Sequence, residues 1–216
     1  MNKIPCLFLA ASASILSLAA AQPYAGKPYN AQPLAVPGTL QAEQYDISPN
    51  AANDVTFHYN GTPKKSPNRT SPDSIMVAGF GGGHVSTDGK PEDPKQVYVG
   101  WTQSGEWLNY TVKVAQPGTY IFGGKFSAGN KGAKVSATFT PLDKYADANA
   151  PKITTGPVEI PTTAGFQPGV EVYHVWETLD KLAEVKLPAG TYVLTIKIES
   201  PVAGMNFDNF TFTKKP

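Results

Sequence analysis

The sequence predicts an all-β protein, a sandwich of two antiparallel sheets, and three observations support that prediction. Segments such as EWLNYTVKV and TYVLTIKIES alternate between apolar and polar residues, which is the pattern of strands with one buried face. The chain also contains 20 glycines and 20 prolines, and turn sequences rich in these residues separate the segments. The one helix-like pattern, WETLDKLAE, continues as a strand through Val185 and Leu187. We therefore expect a β-sandwich with long loops.

The N-terminus precedes the predicted sandwich. Residues 1–21 combine a basic residue, a short apolar run and an Ala-x-Ala ending, which is typical of a secretory signal peptide. Cleavage after Ala21 also removes Cys6, the single cysteine, so we expect a secreted, extracellular protein without disulfides. Residues 22–38 are rich in Pro and Ala without periodicity and are predicted to form a leader or linker. The folded domain is predicted to span residues 39–214.

Two strands in the middle and near the end of the domain are the best defined. In EWLNYTVKV the apolar face consists of Leu108, Tyr110, Val112 and Val114. In TYVLTIKIES it consists of Tyr192, Leu194, Ile196 and Ile198. The turn sequences QPGTY and PAGTY each lead into a strand, as expected for short reversals between antiparallel strands.

The last predicted strand, MNFDNFTF, places an aspartate among aromatic residues. With uninterrupted alternation Asp208 shares a face with Phe210 and Phe212. A bare carboxylate on a buried face is costly. Asp208 is therefore expected to be protonated, paired with a cation or bound to a metal.

The net charge excludes several classes of partner. Removal of Lys3 with the signal peptide changes 18 basic and 17 acidic residues to 17 of each. A chain without net charge is not expected to bind nucleic acid or an anionic membrane through bulk electrostatics. The remaining length fits one domain, which we expect to be a monomer.

Five sequence strings occur in an order and spacing that resemble a known family. They are LQAEQYD, YVGWTQSGEWLNYTVKVAQPGTY, VEIPTTAG, LPAGTYVLTIKI and MNFDNFTF. Together they cover roughly residues 39–213, and they resemble family 6 carbohydrate-binding modules. The resemblance implies a calcium-bearing β-jelly roll that binds polysaccharide or oligosaccharide and has no catalytic activity of its own.

The resemblance implies a structural calcium ion held by Asp208, Gln41 and Glu43. Gln41 and Glu43 are two residues apart, so on a strand they would present two oxygen ligands on one face. Calcium takes six to eight oxygen ligands, so backbone carbonyls or water would complete the site. The alternative is that Asp208 pairs with a lysine or accepts hydrogen bonds from loop amides.

The family's sugar-binding cleft lies among loops at one end of the sandwich, and the matching positions here are Trp101, Tyr173 and Asn206. Aromatic rings stack on the C–H faces of sugars, and planar amides bond their hydroxyl groups. The segment FQPGVEV is an insertion relative to the family, so Phe166 is an alternative to Tyr173 as the second stacking ring. Each of these rings could instead be part of the core, as aromatic residues on strands usually are.

The two other tryptophans are assigned to the core. Trp107 and Trp176 lie within predicted strands, where an aromatic side chain usually packs inward. Trp101 differs because it follows Gly100 at the edge of a loop.

Binding of a neutral β-glycan such as xylan, β-glucan or agarose is thus the predicted function. The alternative is a glycan-degrading hydrolase or lyase on a jelly-roll fold. The Glu-x-Asp-x-x-Glu signature is absent, and Glu106, a candidate acid, is at a strand start where it could simply bind loop amides. Arg69 is the only arginine, whereas a lyase groove is basic. A third class, a structural spacer, would have lost its sugar platform, but Trp101 and Asn206 are both present.

Overall fold

A computed structural model describes residues 23–61, 77–79, 97–163, 175–201 and 205–216. The predicted signal peptide lies outside the described residues. Among those residues, no helix has both the length and the apolar character that a membrane span requires.

The described residues form thirteen strands and three short 3-10 turns. The strands are β1 (Leu34–Val36), β2 (Gly38–Gln41), β3 (Phe57–His58), β4 (Val77–Gly79), β5 (Val97–Val99), β6 (Trp107–Val114), β7 (Gly118–Ala128), β8 (Ala133–Pro141), β9 (Ile153–Thr154), β10 (Val158–Ile160), β11 (Glu177–Leu187), β12 (Gly190–Ile198) and β13 (Met205–Lys214). The turns are Ala42–Gln44, Pro49–Ala51 and Leu142–Lys144. The helix-like pattern of WETLDKLAE therefore belongs to a strand, as predicted.

These strands form two sheets. The first has seven strands in the order β1-β6-β12-β8-β10, with β3 also paired to β6 and β9 to β8. The second has six strands in the order β11-β7-β13-β5-β4, with β2 paired to β13. All pairings are antiparallel except that of β1 with β6. The predicted all-β sandwich is confirmed.

The core lies between the two sheets and contains many aromatic side chains packed among aliphatic ones. Phe139 of β8 packs edge-on against Phe212 of β13 at a centroid distance of 5.4 Å, and Tyr110 of β6 meets Phe210 of β13 at 5.9 Å. The apolar faces predicted for β6 and β12 are both buried in this core. Period-two alternation therefore identified the inner face of the first sheet correctly.

The chain from residue 23 onward packs against the domain, which differs from the predicted leader. Leu34–Val36 forms β1, which pairs in parallel with β6. We call residues 23–33 the N-terminal strap, because Tyr24 packs edge-on against Tyr145 at 4.7 Å and Lys27 forms an isolated bridge with Ile47. A strand of three residues is too short to show periodicity, so composition alone placed it in a linker.

A β-bulge in β13 changes the expected orientation around Asp208. Phe207 pairs with Phe126 of β7, whereas Asn209 pairs with the adjacent Lys125, so Asp208 is the extra residue of the bulge. Phe207 is completely buried in the core, as are Phe210 and Phe212 beyond the bulge. Alternation is therefore interrupted, and the expected shared face of Asp208 with the later phenylalanines does not follow.

Candidate functional site

Trp101 is the exposed aromatic residue at one end of the sandwich. It lies in the segment of residues 100–106 that joins β5 to β6, which we call the platform loop. Its side chain is 58% exposed, and among the described residues it is the one exposed large hydrophobic side chain. Its φ angle is +52°, a left-handed conformation that is uncommon for a bulky residue. Trp101 therefore lies outside the core, as the sequence predicted.

Three contacts fix the position of Trp101. Its indole stacks on the ring of Tyr98, with centroids 6.4 Å apart and planes inclined at 25°. Its backbone N–H donates to Oδ1 of Asn206 at 3.2 Å. The next residue, Thr102, donates its hydroxyl to the carbonyl of Met205 at 2.5 Å. The loop is therefore held against β13.

Gly100 is required by this close approach. A Cβ atom at this position would lie 2.7 Å from the ring of Tyr98 and 3.0 Å from Oδ1 of Asn206. A side chain at this position would therefore require the Tyr98 ring to shift, and it would crowd the Asn206 amide.

Asn206, predicted to bind sugar, is brought next to Trp101, but its surroundings differ from a loop position. It lies on β13 and is only 5% exposed, and its Oδ1 atom is occupied by the Trp101 N–H. It therefore positions the aromatic platform. Tyr173 and Phe166, the two candidates for a second ring, lie outside the described residues.

A small aromatic cluster extends from the platform. Tyr98 also meets Trp176 edge-on at 5.5 Å, and both are almost fully buried in a cluster separate from the main core. The ammonium group of Lys125 lies 5.8 Å from the centroid of the Trp176 ring. The burial predicted for Trp176 is confirmed. Tyr98 was missed by the sequence analysis, although its position three residues before Trp101 was a usable signal.

The core assignment of Trp107 is wrong. Leu108 and Tyr110 face the core, so alternation places Trp107 on the outer face of β6. There it is half-buried and stacks on His58 of β3, with centroids 6.3 Å apart.

Glu106 ends the platform loop as a buried carboxylate. It has no exposed surface, and its two oxygens accept backbone N–H groups of Gln103 at 2.8 Å and Asn60 at 3.1 Å. Burial raises the pKa of Glu106 above its usual value, while these two hydrogen bonds oppose the increase. The expectation that this carboxylate binds loop amides is confirmed.

The predicted calcium ligands lie where β2 and β13 meet. Gln41 pairs with Asn209, next to Asp208, and Asp208 is a carboxylate only 3% exposed. Its Oδ2 atom accepts a hydrogen bond from the Asn209 amide at 2.8 Å. Glu43 does not continue the strand: it is in the 3-10 turn that follows β2. The argument that Gln41 and Glu43 share one strand face is therefore wrong, because the strand ends at Gln41.

The donor chemistry at this junction suits a hard cation even so, since two carboxylates and one amide offer only oxygen ligands. Within the described ranges, no group of three or more His, Cys, Asp or Glu side chains suited to a metal is found.

Comparison with known proteins identifies the family. The family model for "Carbohydrate binding module (family 6)" matches residues 78–214. The chain belongs to this family. The matched region of the module contains Trp101, Asn206 and Asp208, whereas Gln41 and Glu43 precede it. No curated protein matches the sequence.

Solved structures share the fold of the module. A β-1,3-glucan-binding family 6 module from Bacillus halodurans has a TM-score of 0.50 and 16% identity, over 84% of this chain and 98% of that one. A module of Cellvibrio mixtus lichenase 5A, in complex with cellotriose, has a TM-score of 0.46 and 21% identity, over 84% of this chain and 99% of that one. At 16% identity, the Bacillus halodurans structure supports the fold of the module.

Proposed function

We propose that this module binds a neutral β-glycan, such as xylan, β-glucan or agarose, with Trp101 as the stacking platform. The observation that supports this most is the exposure of the Trp101 ring, which is 58%, combined with its support from Tyr98 and Asn206. An exposed indole in a defined position offers a flat apolar face to the C–H groups of a sugar ring. Tyr173 or Phe166 supplies the second ring.

A neutral ligand fits the net charge of the chain. The mature chain has no net charge once Lys3 is removed, with 17 basic and 17 acidic residues remaining. Recognition must then rest on stacking and on hydrogen bonds to hydroxyl groups, because bulk electrostatic attraction is not available. The β-1,3-glucan bound by the Bacillus halodurans module makes β-glucans the first ligands to test.

The direct test is calorimetric titration of the mature protein with soluble xylan, mixed-linkage β-glucan, laminarin and agaro-oligosaccharides. We expect saturable binding to at least one of them. Absence of binding to every glycan on a broad array would contradict the proposal.

We further propose that binding occurs without catalysis. The best candidate acid, Glu106, is buried and accepts two backbone N–H groups, so it is unavailable to a substrate. Incubation with a bound glycan should release no reducing sugar and no unsaturated product. Release of either above background would favour the hydrolase or lyase alternative.

We also propose that calcium binds at the junction of β2 and β13, with Gln41, Glu43 and Asp208 as ligands. The oxygen-only donor set and the burial of Asp208 at the bulge support this. A metal that binds only the folded state stabilises it by about 2.7 kcal/mol at a hundredfold excess over Kd. Metal analysis should find about one calcium per chain, and EDTA should lower Tm. A metal-free protein whose melting is unchanged by EDTA would overturn the site.

A further inference from the structure

We propose that Glu106 is a positioning residue for polysaccharide binding, because it hydrogen-bonds the platform loop to the segment of residues 53–61, which includes β3, and so keeps Trp101 in its binding conformation. This inference rests on the proposed function, since it assumes that Trp101 contacts the sugar. It assigns a part in affinity to an acidic side chain that is fully buried.

The Glu106 carboxylate forms hydrogen bonds to two segments of the chain. One oxygen of Glu106 accepts the N–H of Gln103, within the platform loop, and the other accepts the N–H of Asn60, in the neighbouring loop. Both bonds are charge-assisted, which makes them stronger than bonds between neutral groups. One side chain thus joins two segments of the chain, since Asn60 and Glu106 are 46 positions apart in the sequence.

Further contacts reinforce the junction between the platform loop and residues 53–61. The side-chain amide of Asn60 donates to the carbonyl of Ser104 at 3.1 Å, so Asn60 contacts the platform loop twice. Its Oδ1 atom lies 3.1 Å from Nε2 of His58, and Nδ1 of His58 lies 2.6 Å from Asp54. The segment of residues 53–61 is therefore internally bonded where Glu106 holds it.

Trp101 itself has an uncommon backbone conformation that these contacts maintain. Trp101 has a φ angle of +52°, which is sparsely populated in a free chain and persists only where the surroundings determine it. Asn206 and Met205 hold the start of the loop through Trp101 and Thr102, and Glu106 holds its end through Gln103 and Asn60. Loss of one support therefore shifts the loop toward commoner conformations.

The effect on affinity follows from the binding-competent fraction. When only a fraction of molecules has the binding conformation, the apparent Kd equals the intrinsic Kd divided by that fraction. A loop that keeps its conformation in about one tenth of molecules would bind about tenfold more weakly. No contact between Glu106 and the sugar is needed.

The test is Glu106→Gln, which preserves the shape of the side chain but replaces one acceptor oxygen with an NH₂ donor. The matched control is Glu199→Gln, the same change in a carboxylate that bonds Ser136 and Lys197 at the end of β12. We expect Glu106→Gln to raise Kd for a soluble glycan about tenfold and Glu199→Gln to leave it unchanged. Hydrogen exchange at the Gln103 amide should become faster in Glu106→Gln alone.

Two results would overturn the inference. Unchanged affinity in Glu106→Gln would show that the carboxylate does not set the platform. Weaker binding with unchanged exchange at Gln103 would show that Glu106 acts by another route. If the parent protein binds no glycan, the proposed function fails, while the exchange measurement still reports whether Glu106 orders the loop.

A pH titration of the parent protein gives a second measurement that needs no variant. Burial raises the pKa of Glu106, against the effect of its two hydrogen bonds and of the charge on His58. Among the described residues, Asp54, the partner of His58, and Lys197 and Glu199 at the end of β12 are charged groups on neighbouring elements. Protonation removes one acceptor, so affinity for a neutral glycan should fall as pH decreases through the raised pKa.

Folding stability should change in the opposite sense. A carboxyl group with a raised pKa in the folded state contributes most stability below its unfolded pKa and loses that contribution as pH rises through the folded pKa. Acidification should therefore weaken binding while the contribution of Glu106 to folding stability increases. A Kd that does not rise as the folded parent protein is acidified through the raised pKa of Glu106 would contradict the inference.

Discussion

The platform loop and the N-terminal strap are both irregular segments, and each is held by its own buried carboxylate. The strap is packed against the domain, whereas the platform loop presents a ring to solvent. Asp46 accepts hydrogen bonds from the backbone N–H and hydroxyl of Thr111, at 2.9 and 2.6 Å, and from the hydroxyl of Tyr24 at 2.8 Å. Its partners lie on β6 and on the strap, and the aromatic ring that it holds is packed against Tyr145. Glu106 holds a loop whose ring faces solvent.

The difference shows that a buried carboxylate accepting hydrogen bonds can stabilise the fold in one region and maintain a binding surface in another. Around Asp46 every partner is part of the packed fold, so its loss should be measured as unfolding free energy. In the platform loop the bonds keep an exposed ring in an uncommon conformation, so their loss should be measured as affinity. Substitutions in the two regions should therefore affect different measurements.

The largest expected effect is on stability. Asp46→Ala leaves three donors without their acceptor, of which the two on Thr111 are buried and the one on Tyr24 is partly buried. At about 1 kcal/mol each, we expect a loss of about 3 kcal/mol. Chemical denaturation should show this loss, while Kd for a glycan at temperatures where the variant is folded stays unchanged. Asp143→Ala, at an exposed position, is the control. Equal stability of the two variants would remove the comparison.

The next largest effect is on affinity. Trp101→Ala removes the stacking platform, which should cost about 2 kcal/mol or more, or roughly thirtyfold in Kd. Its Tm should change little, because the indole is mainly exposed. Trp107→Ala is the control, since that ring lies on the outer face of β6. A protein that binds normally without Trp101 but not without Trp107 would place the site on the sheet face instead.

A smaller effect on affinity is expected for Asn206. Asn206→Ala removes the acceptor for the Trp101 N–H and should weaken binding by about 1.5 kcal/mol, roughly tenfold in Kd. Asn206→Asp retains that acceptor, so calorimetry of both variants separates positioning from direct donation to the sugar. Recovery of affinity in the Asp variant supports positioning; equal loss in both would assign the amide N–H a direct contact.

The smallest effect concerns the strap. Tyr24→Phe removes one hydrogen bond to Asp46 but keeps the ring packed on Tyr145, so we expect a loss of about 1 kcal/mol in unfolding free energy. Burial and the neighbouring Asp46 raise the pKa of Tyr24, so this hydroxyl should remain protonated in the parent protein at alkaline pH. Tyr29→Phe, elsewhere in the strap, is the comparison variant. A Tyr24→Phe variant as stable as the parent would show that the strap is held by packing alone.

The sequence predicted the sandwich because its strands are amphipathic. Alternation along β6 and β12 was strong enough to identify their buried faces, and the same rule, applied one residue earlier, would have placed Trp107 outside. Glycine before Trp101 marked a loop edge, which is why the exposed ring was found. These are local signals, and each survives in the folded protein.

Signals that depend on distant parts of the chain were not available from sequence. The bulge at Asp208 arises in the pairing of β13 with β7, and alternation in one strand cannot show where its partner skips a residue. The packing of the strap likewise depends on Asp46 and Tyr145, which have no pattern that connects them to residues 23–33.

The sequence by itself determined the all-β class, the inner faces of the main strands and an aromatic residue at a loop edge, because side-chain periodicity and turn chemistry act between near neighbours. Tertiary structure alone decided that Asn206 bonds the Trp101 backbone and that Glu106 joins two loops. It also decided that Glu43 lies in a turn. Hydrogen bonds between groups far apart in the chain form only when the sheets have packed, since folding is what brings their donors and acceptors within about 3 Å.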